Sequence, residues 1–164
     1  MAETTQIMAE DRIKQHAFYV AEVAKAAFPY PNADHPDWRV YVNLPEITIE
    51  VPLPAQVAGG VEVSGTSPAR GTRFAGKVAA PEIVVAAGSH RTAVICGEVV
   101  GARDVMEDEV ESRWRPITAV AALYVFVPVG WASDARRLIK KSKVNVARLF
   151  TYRWTPRGAE INPA

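Results

Sequence analysis

Two glutamates flank a β-hairpin pattern near the middle of the chain. Glu82 stands before it and Glu98 at its end, in the segment Pro-Glu-Ile-Val-Val-Ala-Ala-Gly-Ser-His-Arg-Thr-Ala-Val-Ile-Cys-Gly-Glu that begins at Pro81. The runs 83–86 and 91–95 are rich in β-branched residues, and the Gly-Ser pair between them predicts a turn. If the runs pair, both carboxylates lie at one end of the hairpin, where they repel unless a cation lies between them. The pattern predicts a divalent metal site; the alternative is two solvated residues at strand ends.

Composition is typical of a soluble globular protein. The chain has 164 residues, of which 49% are hydrophobic and 23% charged, and we expect a single domain over 1–164 with its own core. Its one cysteine, Cys96, excludes an internal disulfide and favours a cytoplasmic location. Burial in an apolar strand would raise the pKa of that thiol, which argues against a nucleophilic role. Acidic residues near position 1 do not fit a signal peptide, and no apolar run approaches the roughly 20 residues of a membrane span, so we expect no membrane partner.

A net charge of +1 conceals an acidic segment followed by a basic one. The acids between positions 98 and 111 are Glu98, Asp104, Glu107, Asp108, Glu109 and Glu111, against Arg103 as the single base. The bases between positions 134 and 157 are Arg136, Arg137, Lys140, Lys141, Lys143, Arg148, Arg153 and Arg157, against Asp134 as the single acid. This division predicts a cation site and a polyanion-binding surface in one domain; the alternative is two solvated helix faces.

Hydrophobic periodicity predicts the elements before the hairpin. Apolar residues at steps of three and four, from Ile13 to Phe28, predict an amphipathic helix over about 9–27. Positions 47–53 alternate as in a strand, 61–63 is a second short strand, and 65–71 has the composition of a loop. We therefore expect an irregular β insertion over about 43–75, within a Pro- and Gly-rich region that carries no further assignable element.

Helices and strands alternate after the hairpin. A stripe formed by Met106, Val110, Trp114, Ile117 and Ala121 predicts a helix that Pro116 shortens or kinks. The continuous apolar run 123–129 predicts a strand buried on both faces. A helix with a basic outer face and a strand over 146–154 follow. This order predicts an α/β fold in which helices flank a central mixed β-sheet, with parallel pairing in its C-terminal half.

Over roughly residues 75–154, the order of elements and the motif residues resemble the PD-(D/E)XK nuclease superfamily, also called the restriction-endonuclease-like fold. The family motif begins with Pro-Asp at the start of one strand and places Glu-x-Lys or Glu-x-Glu on the next. This chain offers Pro81-Glu82 for the first part and Glu98-Val99-Val100 for the second. The resemblance implies a restriction-endonuclease-like core preceded by the N-terminal helix.

The resemblance also implies a DNA endonuclease that depends on Mg²⁺ or Mn²⁺, with Glu82 and Glu98 as metal ligands and catalytic residues. Val100 departs from the family, because an isopropyl group cannot replace the charge of the usual Lys or acid. Lys77 and Glu107 are the candidates to supply the missing catalytic group, with Arg103 behind them. The residues expected to contact DNA are Arg136, Arg137, Lys140, Lys141 and Lys143.

Two alternatives to an active nuclease stay open. The first is a nuclease-fold protein without catalysis that serves as a DNA-binding or assembly subunit. The second is a homo-oligomeric interaction module without nucleic acid, whose homodimer face contains Trp131, Tyr152 and Trp154. On the first helix, His16 is interpreted as a packed or partly exposed histidine. Glu22 resembles the extra acid that some family members carry there; the alternative is a solvent-facing residue.

Overall fold

The predicted hairpin forms, and it lies in the interior of a six-stranded sheet. The structure is a computed structural model that describes residues 2–53, 56–58, 61–63, 78–101 and 110–164. In chain order its elements are α1 (Ala2–Ala27), β1 (Trp38–Val42), β2 (Val51–Pro52), β3 (Gln56–Ala58), β4 (Val61–Val63), β5 (Val78–Ala79), β6 (Ile83–Ala87), β7 (Thr92–Val99), a π-helix (Val110–Trp114), α2 (Arg115–Thr118), β8 (Ala122–Pro128), α3 (Ala132–Ser142), β9 (Arg148–Thr155) and β10 (Gly158–Pro163).

The large sheet has the strand order β1-β6-β7-β8-β9-β10. Strands β1, β6 and β7 pair antiparallel, as do β9 and β10, whereas β7, β8 and β9 run parallel. Two small antiparallel pairs, β2 with β5 and β3 with β4, stand apart from it. The prediction of a mixed α/β fold with parallel pairing in the C-terminal half is confirmed.

Alternation along β6 assigns the helices to two layers. Ile83 and Val85 belong to an apolar cluster with Val20 and Val23 of α1, whereas Val84 belongs to a second cluster that the π-helix, α2 and α3 complete. Successive strand residues point to opposite faces, so α1 covers one face of the sheet and the other helices cover the opposite face. Residues 123–128 of the predicted apolar run lie in β8, which is buried from both sides as predicted, whereas Val129 follows the strand and is 56% exposed.

Helix α1 begins earlier than predicted and is only half covered. It ends at Ala27 as expected, and Ala17, Val20 and Ala24 are buried. The prediction that Ile13 lies on the buried stripe is wrong, because Ile13 is 53% exposed. All residues from 6 to 15 are exposed, so this end of the helix gains stability from its backbone hydrogen bonds and not from packing.

The middle of the chain is less regular than its sequence pattern. The strand predicted over 47–53 is wrong apart from β2, and Ile47 is 39% exposed. The short strand over 61–63 is confirmed as β4. The loop predicted at 65–71 lies outside the described residues, as does much of the insertion expected over 43–75. Strands β1 and β10 were not predicted.

The helix predicted around Trp114 takes an unusual form. Val110 and Trp114 are buried at the two ends of a π-helix, and Ile117 is buried in α2. Pro116 is the second residue of α2, which continues directly from the π-helix, so its missing N–H removes one backbone donor from this helical segment. The predicted stripe is therefore confirmed at these three apolar positions; Met106 lies outside the described residues. In the described part of the chain, no helix is both long and apolar enough to cross a membrane.

Gly97 allows β6, β7 and α1 to approach one another beside the two glutamates. A Cβ atom at position 97 would lie 3.1 Å from Ile83 Cβ and 3.4 Å from Phe28 Cε2. We expect Gly97→Val to lower the free energy of unfolding by about 1–3 kcal/mol, because the core must shift to admit the side chain. Urea denaturation measures the change, with Thr92→Val at the exposed start of β7 as the control. Equal stability of the two variants would contradict the close packing at Gly97.

Candidate carboxylate site

The register of the hairpin brings Glu82 and Glu98 together. Ile83 of β6 pairs with Gly97 of β7, so the two glutamates occupy the next facing positions at the carboxyl end of β7. Both are buried, with 8% of Glu82 and 3% of Glu98 exposed. The structure thus places the predicted acids side by side, and they are not solvated strand-end residues.

Each glutamate side chain binds the backbone of the other strand. The backbone N–H of Val99 donates to Glu82 Oε2 at 2.7 Å, and the backbone N–H of Glu82 donates to Glu98 Oε1 at 3.3 Å. These bonds satisfy two buried N–H groups where the regular β6–β7 ladder ends. The carboxylates therefore close the hairpin at its open end.

A second partner reaches each carboxylate from a different layer. His16 Nε2 of α1 lies 2.7 Å from Glu82 Oε1, and Arg113 Nε of the π-helix donates to Glu98 Oε2 at 2.7 Å. Because α1 and the π-helix cover opposite faces of the sheet, the row His16–Glu82–Glu98–Arg113 crosses the sheet at this edge. We call these four residues the carboxylate row.

The sequence interpretation missed both flanking members of the carboxylate row. His16 is expected to be packed or partly exposed, and its side chain is 33% exposed. Its contact with Glu82 was missed, although His16 lies four positions before buried Val20 and therefore on the buried face of α1. A polar residue on such a face signals a polar partner beneath it. Arg113 carried a weaker signal, since only its position next to buried Trp114 distinguishes it.

Burial and like charge together raise the pKa of Glu98. Removal from water disfavours the ionised form most strongly, and the charge of Glu82 adds to the effect. The guanidinium of Arg113 opposes both, and the resulting pKa is about 7, against 4.5 for an ordinary glutamate. Burial also raises the pKa of the Cys96 thiol to about 12, with the charge of Glu98 contributing, which confirms the expected direction.

Asn43, the residue that follows β1, fixes the position of Glu82. Its side-chain Nδ2 donates to the carbonyl of Pro81 at 2.7 Å and to that of Ile49 at 2.8 Å. Its backbone N–H donates to the carbonyl of Glu82 at 2.9 Å, and its Oδ1 accepts from the backbone N–H of Thr48 and of Ile49. This buried amide, which the sequence interpretation missed, holds both ends of the loop around the start of β6.

The third motif position carries Val100, which has no charged side chain. Val100 is 7% exposed and packs in the apolar cluster with Val84 and Val125. The candidates named to compensate, Lys77 and Glu107, lie outside the described residues, and so does Arg103. Arg113 is the base that the structure places against Glu98.

The carboxylate oxygens of Glu82 and Glu98 are suitable ligands for a hard divalent cation, but they already accept hydrogen bonds from the protein. Mg²⁺ and Mn²⁺ prefer carboxylate oxygens and are often held by two of them together with water and phosphate oxygens. Among the described residues, no three His, Cys, Asp or Glu side chains are grouped so that they could hold a metal ion. Each of the four carboxylate oxygens already accepts a hydrogen bond from the protein, so a cation between Glu82 and Glu98 would compete with these donors.

Helix α3 presents the predicted basic surface. Ala135 is buried and Leu138 and Ile139 pack against the core, as their spacing predicted. The exposed bases of this surface, here called the basic face, are Arg136, Arg137, Lys140, Lys141 and Lys143. Asp134 is the acid of the helix, and its Oδ1 accepts a hydrogen bond from Arg137 at 2.7 Å.

The predicted homodimer face is only partly at the surface. Trp131 and Trp154 are 38% and 39% exposed, but Tyr152 is buried and its hydroxyl donates to the carbonyl of Val100 at 3.1 Å. Including Tyr152 in that face is therefore wrong. Glu22 contacts Lys25, 3.5 Å away, and its side chain is 23% exposed.

Comparison with known proteins found no match, whether among protein-family models, curated proteins or solved structures.

The raised pKa of Glu98 predicts how stability depends on pH. Between pH 4.5 and about 7, the unfolded chain releases this proton while the folded protein retains it. The free energy of unfolding of the wild type should therefore fall with rising pH relative to Glu98→Gln, by about 3 kcal/mol in all, and level off above pH 7. Urea denaturation at a series of pH values measures this difference.

Glu111→Gln is the matched control, because Arg115 lowers the pKa of exposed Glu111. Its folded pKa lies below 4.5, so the difference between wild type and this variant should stay constant between pH 4.5 and 7 and change only in more acidic solution. A wild type that gains stability relative to Glu98→Gln across the same window would show that Glu98 is ionised in the folded protein.

Proposed function

We propose that this protein binds DNA, with the basic face of α3 as the surface that contacts phosphates. The observation that carries the proposal is the exposure of Arg136, Arg137, Lys140 and Lys141 on α3, followed by exposed Lys143 directly after the helix. At 100° per residue, the four helical bases lie within about 140° of the helix circumference, so they form one continuous positive surface. Positions 136 and 141 are about 7.5 Å apart along the axis, the length of about two nucleotides of one strand.

Residues outside the helix support the same proposal. Arg148, the first residue of β9, is exposed and extends the positive charge beyond Lys143. The strand order supports the resemblance to the PD-(D/E)XK superfamily, since a helix, three antiparallel strands and a parallel strand follow one another as in its core. In this resemblance, Glu82 just before β6 and Glu98 near the end of β7 would correspond to the family's two acids.

A second candidate function is phosphodiester cleavage that depends on Mg²⁺ or Mn²⁺. Two adjacent buried carboxylates favour it, because the charge of Glu82 raises the pKa of Glu98 and a divalent cation would relieve that repulsion. When bound, such a cation would polarise a phosphate and activate a water molecule. Glu82 and Glu98 would hold it, while Arg113, displaced from Glu98, would offer its guanidinium to the phosphate in place of the charge that Val100 lacks.

We place DNA binding ahead of cleavage as the proposed function because DNA binding needs no rearrangement of the structure. The basic face is exposed as it stands, whereas both carboxylates are engaged by protein donors. A nuclease-fold protein without catalysis satisfies all these observations, and cleavage requires in addition that a cation competes with the protein donors for the carboxylate oxygens.

Removing two bases from α3 tests the DNA-binding proposal. We expect Arg136→Ala/Lys140→Ala to weaken binding to duplex DNA and to reduce the slope of log K against log salt concentration by about 2, since each phosphate contact contributes about 1. Fluorescence anisotropy of a labelled duplex over a range of KCl concentrations measures both quantities. The control Arg39→Ala/Arg91→Ala removes the same charge from exposed positions at β1 and the hairpin turn. Equal slopes for the two double variants would overturn the assignment to α3.

Metal titration tests the second candidate. We expect Mn²⁺ to give a calorimetric binding heat with the wild type and none with Glu82→Gln/Glu98→Gln. Below pH 7 binding should release a proton from Glu98, so the heat should vary with the ionisation enthalpy of the buffer. The control Glu46→Gln/Glu50→Gln, at exposed positions, should retain the heat. Nicking of supercoiled DNA in Mg²⁺ should then depend on Glu98. Identical heats for wild type and Glu82→Gln/Glu98→Gln would exclude this site.

A further inference from the structure

An open groove lies between α1 and the turn that joins β9 to β10. Its volume is about 620 Å³, and the residues on which the argument depends are Phe18, Tyr19, Glu22, Trp154, Arg157 and Gly158. We call it the aromatic groove. Trp154 lies near the end of β9. Glu98 pairs with Val125 of β8, which pairs with Leu149 near the start of β9, so Trp154 lies five residues, roughly 16 Å, further along the strand direction than Glu98.

We infer that the aromatic groove binds an unpaired nucleobase of single-stranded DNA. The inference rests on the proposed DNA-binding function and adds to it a second contact surface, with a different chemistry from the basic face. Stacked bases in a duplex have both faces covered, so a groove of this kind takes a base from a single strand or from a strand opened locally.

The aromatic side chains of the groove are held in place and partly exposed. The rings of Tyr19 and Trp154 lie 4.5 Å apart between centroids, and Gln15 Nε2 donates to the Tyr19 hydroxyl at 2.9 Å. Trp154 also contacts buried Tyr152 edge-on, with 5.6 Å between centroids. Nevertheless 39% of Trp154 and 59% of Phe18 remain exposed. A fixed ring with exposed surface is the platform on which bases stack.

The polar groups of the groove match the rest of a nucleotide. Glu22 offers a carboxylate that accepts an N–H from a base edge, such as the amino group of cytosine. Its Oε2 lies 3.1 Å from where a Cβ at position 158 would be, so the glycine leaves room for that carboxylate. Arg157 is exposed at the rim and supplies a positive charge for the phosphate. The Trp154 ring would thus contact the face of the base, the Glu22 carboxylate its edge, and the Arg157 guanidinium the phosphate.

Helix α1 connects the groove to the carboxylate row. His16 and Tyr19 are three positions apart, so they neighbour each other on the helix surface. His16 contacts Glu82 and Tyr19 contacts Trp154. The groove and the carboxylate row therefore contact the same stretch of α1.

Alanine substitution of Trp154 tests the inference, with Trp131 as a matched control of nearly equal exposure. The probes are labelled oligo(dC), an abasic strand of equal length and a duplex, each measured by fluorescence anisotropy. We expect Trp154→Ala to weaken oligo(dC) binding about tenfold and to leave duplex binding unchanged, because one stacked base is lost. Trp131→Ala should change neither affinity by more than about twofold, and wild type should prefer oligo(dC) to the abasic strand.

Exposed Phe18 provides a variant that does not disturb the packing beneath Trp154. Phe18→Ala should also weaken oligo(dC) binding selectively, and oligo(dC) should quench tryptophan fluorescence in Trp131→Phe but not in Trp154→Phe. If the protein binds the duplex but neither Trp154→Ala nor Phe18→Ala changes the affinity for oligo(dC), the inference is overturned. DNA binding by α3 would remain intact. Absence of binding to every probe would overturn both. Dimerisation through the groove, seen as a mass in light scattering that Phe18→Ala halves, would also overturn it.

Discussion

Two carboxyl groups buried side by side near the end of β7 impose the constraint on which the rest of the site depends. Taking a carboxylate out of water costs several kcal/mol unless donors replace the lost hydration. The protein supplies those donors from four places: the backbone of each hairpin strand, His16 of α1 and Arg113 of the π-helix. The same contacts tie the helical layers on both faces to one edge of the sheet. The contacts that compensate the buried carboxyl groups are therefore the same contacts that order this part of the structure.

Two irregular backbone segments, the π-helix and the segment that begins at Asn43, contact the residues around the buried glutamates. The π-helix places Arg113 against Glu98 while its neighbour Trp114 packs in the core, and π-helical turns often occur at functional sites. Asn43 replaces regular pairing with side-chain bonds that hold Pro81 and the loop at Thr48 and Ile49. Both features place polar groups accurately at the sheet edge, which a continuous helix or strand would not do.

Three chemically distinct features lie around one core in this chain. The carboxylate row and the aromatic groove both contact α1, and α3 begins four residues after β8 ends. The basic face attracts any polyanion over a distance set by salt, whereas an aromatic surface selects an exposed base. A combination of long-range attraction and short-range stacking is suited to nucleic acid with unpaired segments.

Elements whose signal is local could be predicted from the sequence. The hairpin, the buried strand β8, the amphipathic helix α3 and the stripe through Val110, Trp114 and Ile117 follow from periodicity within a short window. Strand β1 could not be predicted because prolines surround it, nor β10 because Gly158–Pro163 contains one β-branched residue. Ile13 fits the helical period but lies where α1 is uncovered, and periodicity does not report where a layer ends.

The same distinction applies to the site. The sequence by itself determined that Glu82 and Glu98 come to the same end of the hairpin, because a short turn joins the two strands. The two residues face each other only because the register shifts by one residue between Val85 and Ala86. Only the tertiary structure decided what surrounds them. His16 is 66 positions from Glu82, Asn43 is 38 from Pro81, and Arg113 is 15 from Glu98 across a different element. No local pattern encodes such pairings, because they depend on how the helical layers pack against the sheet.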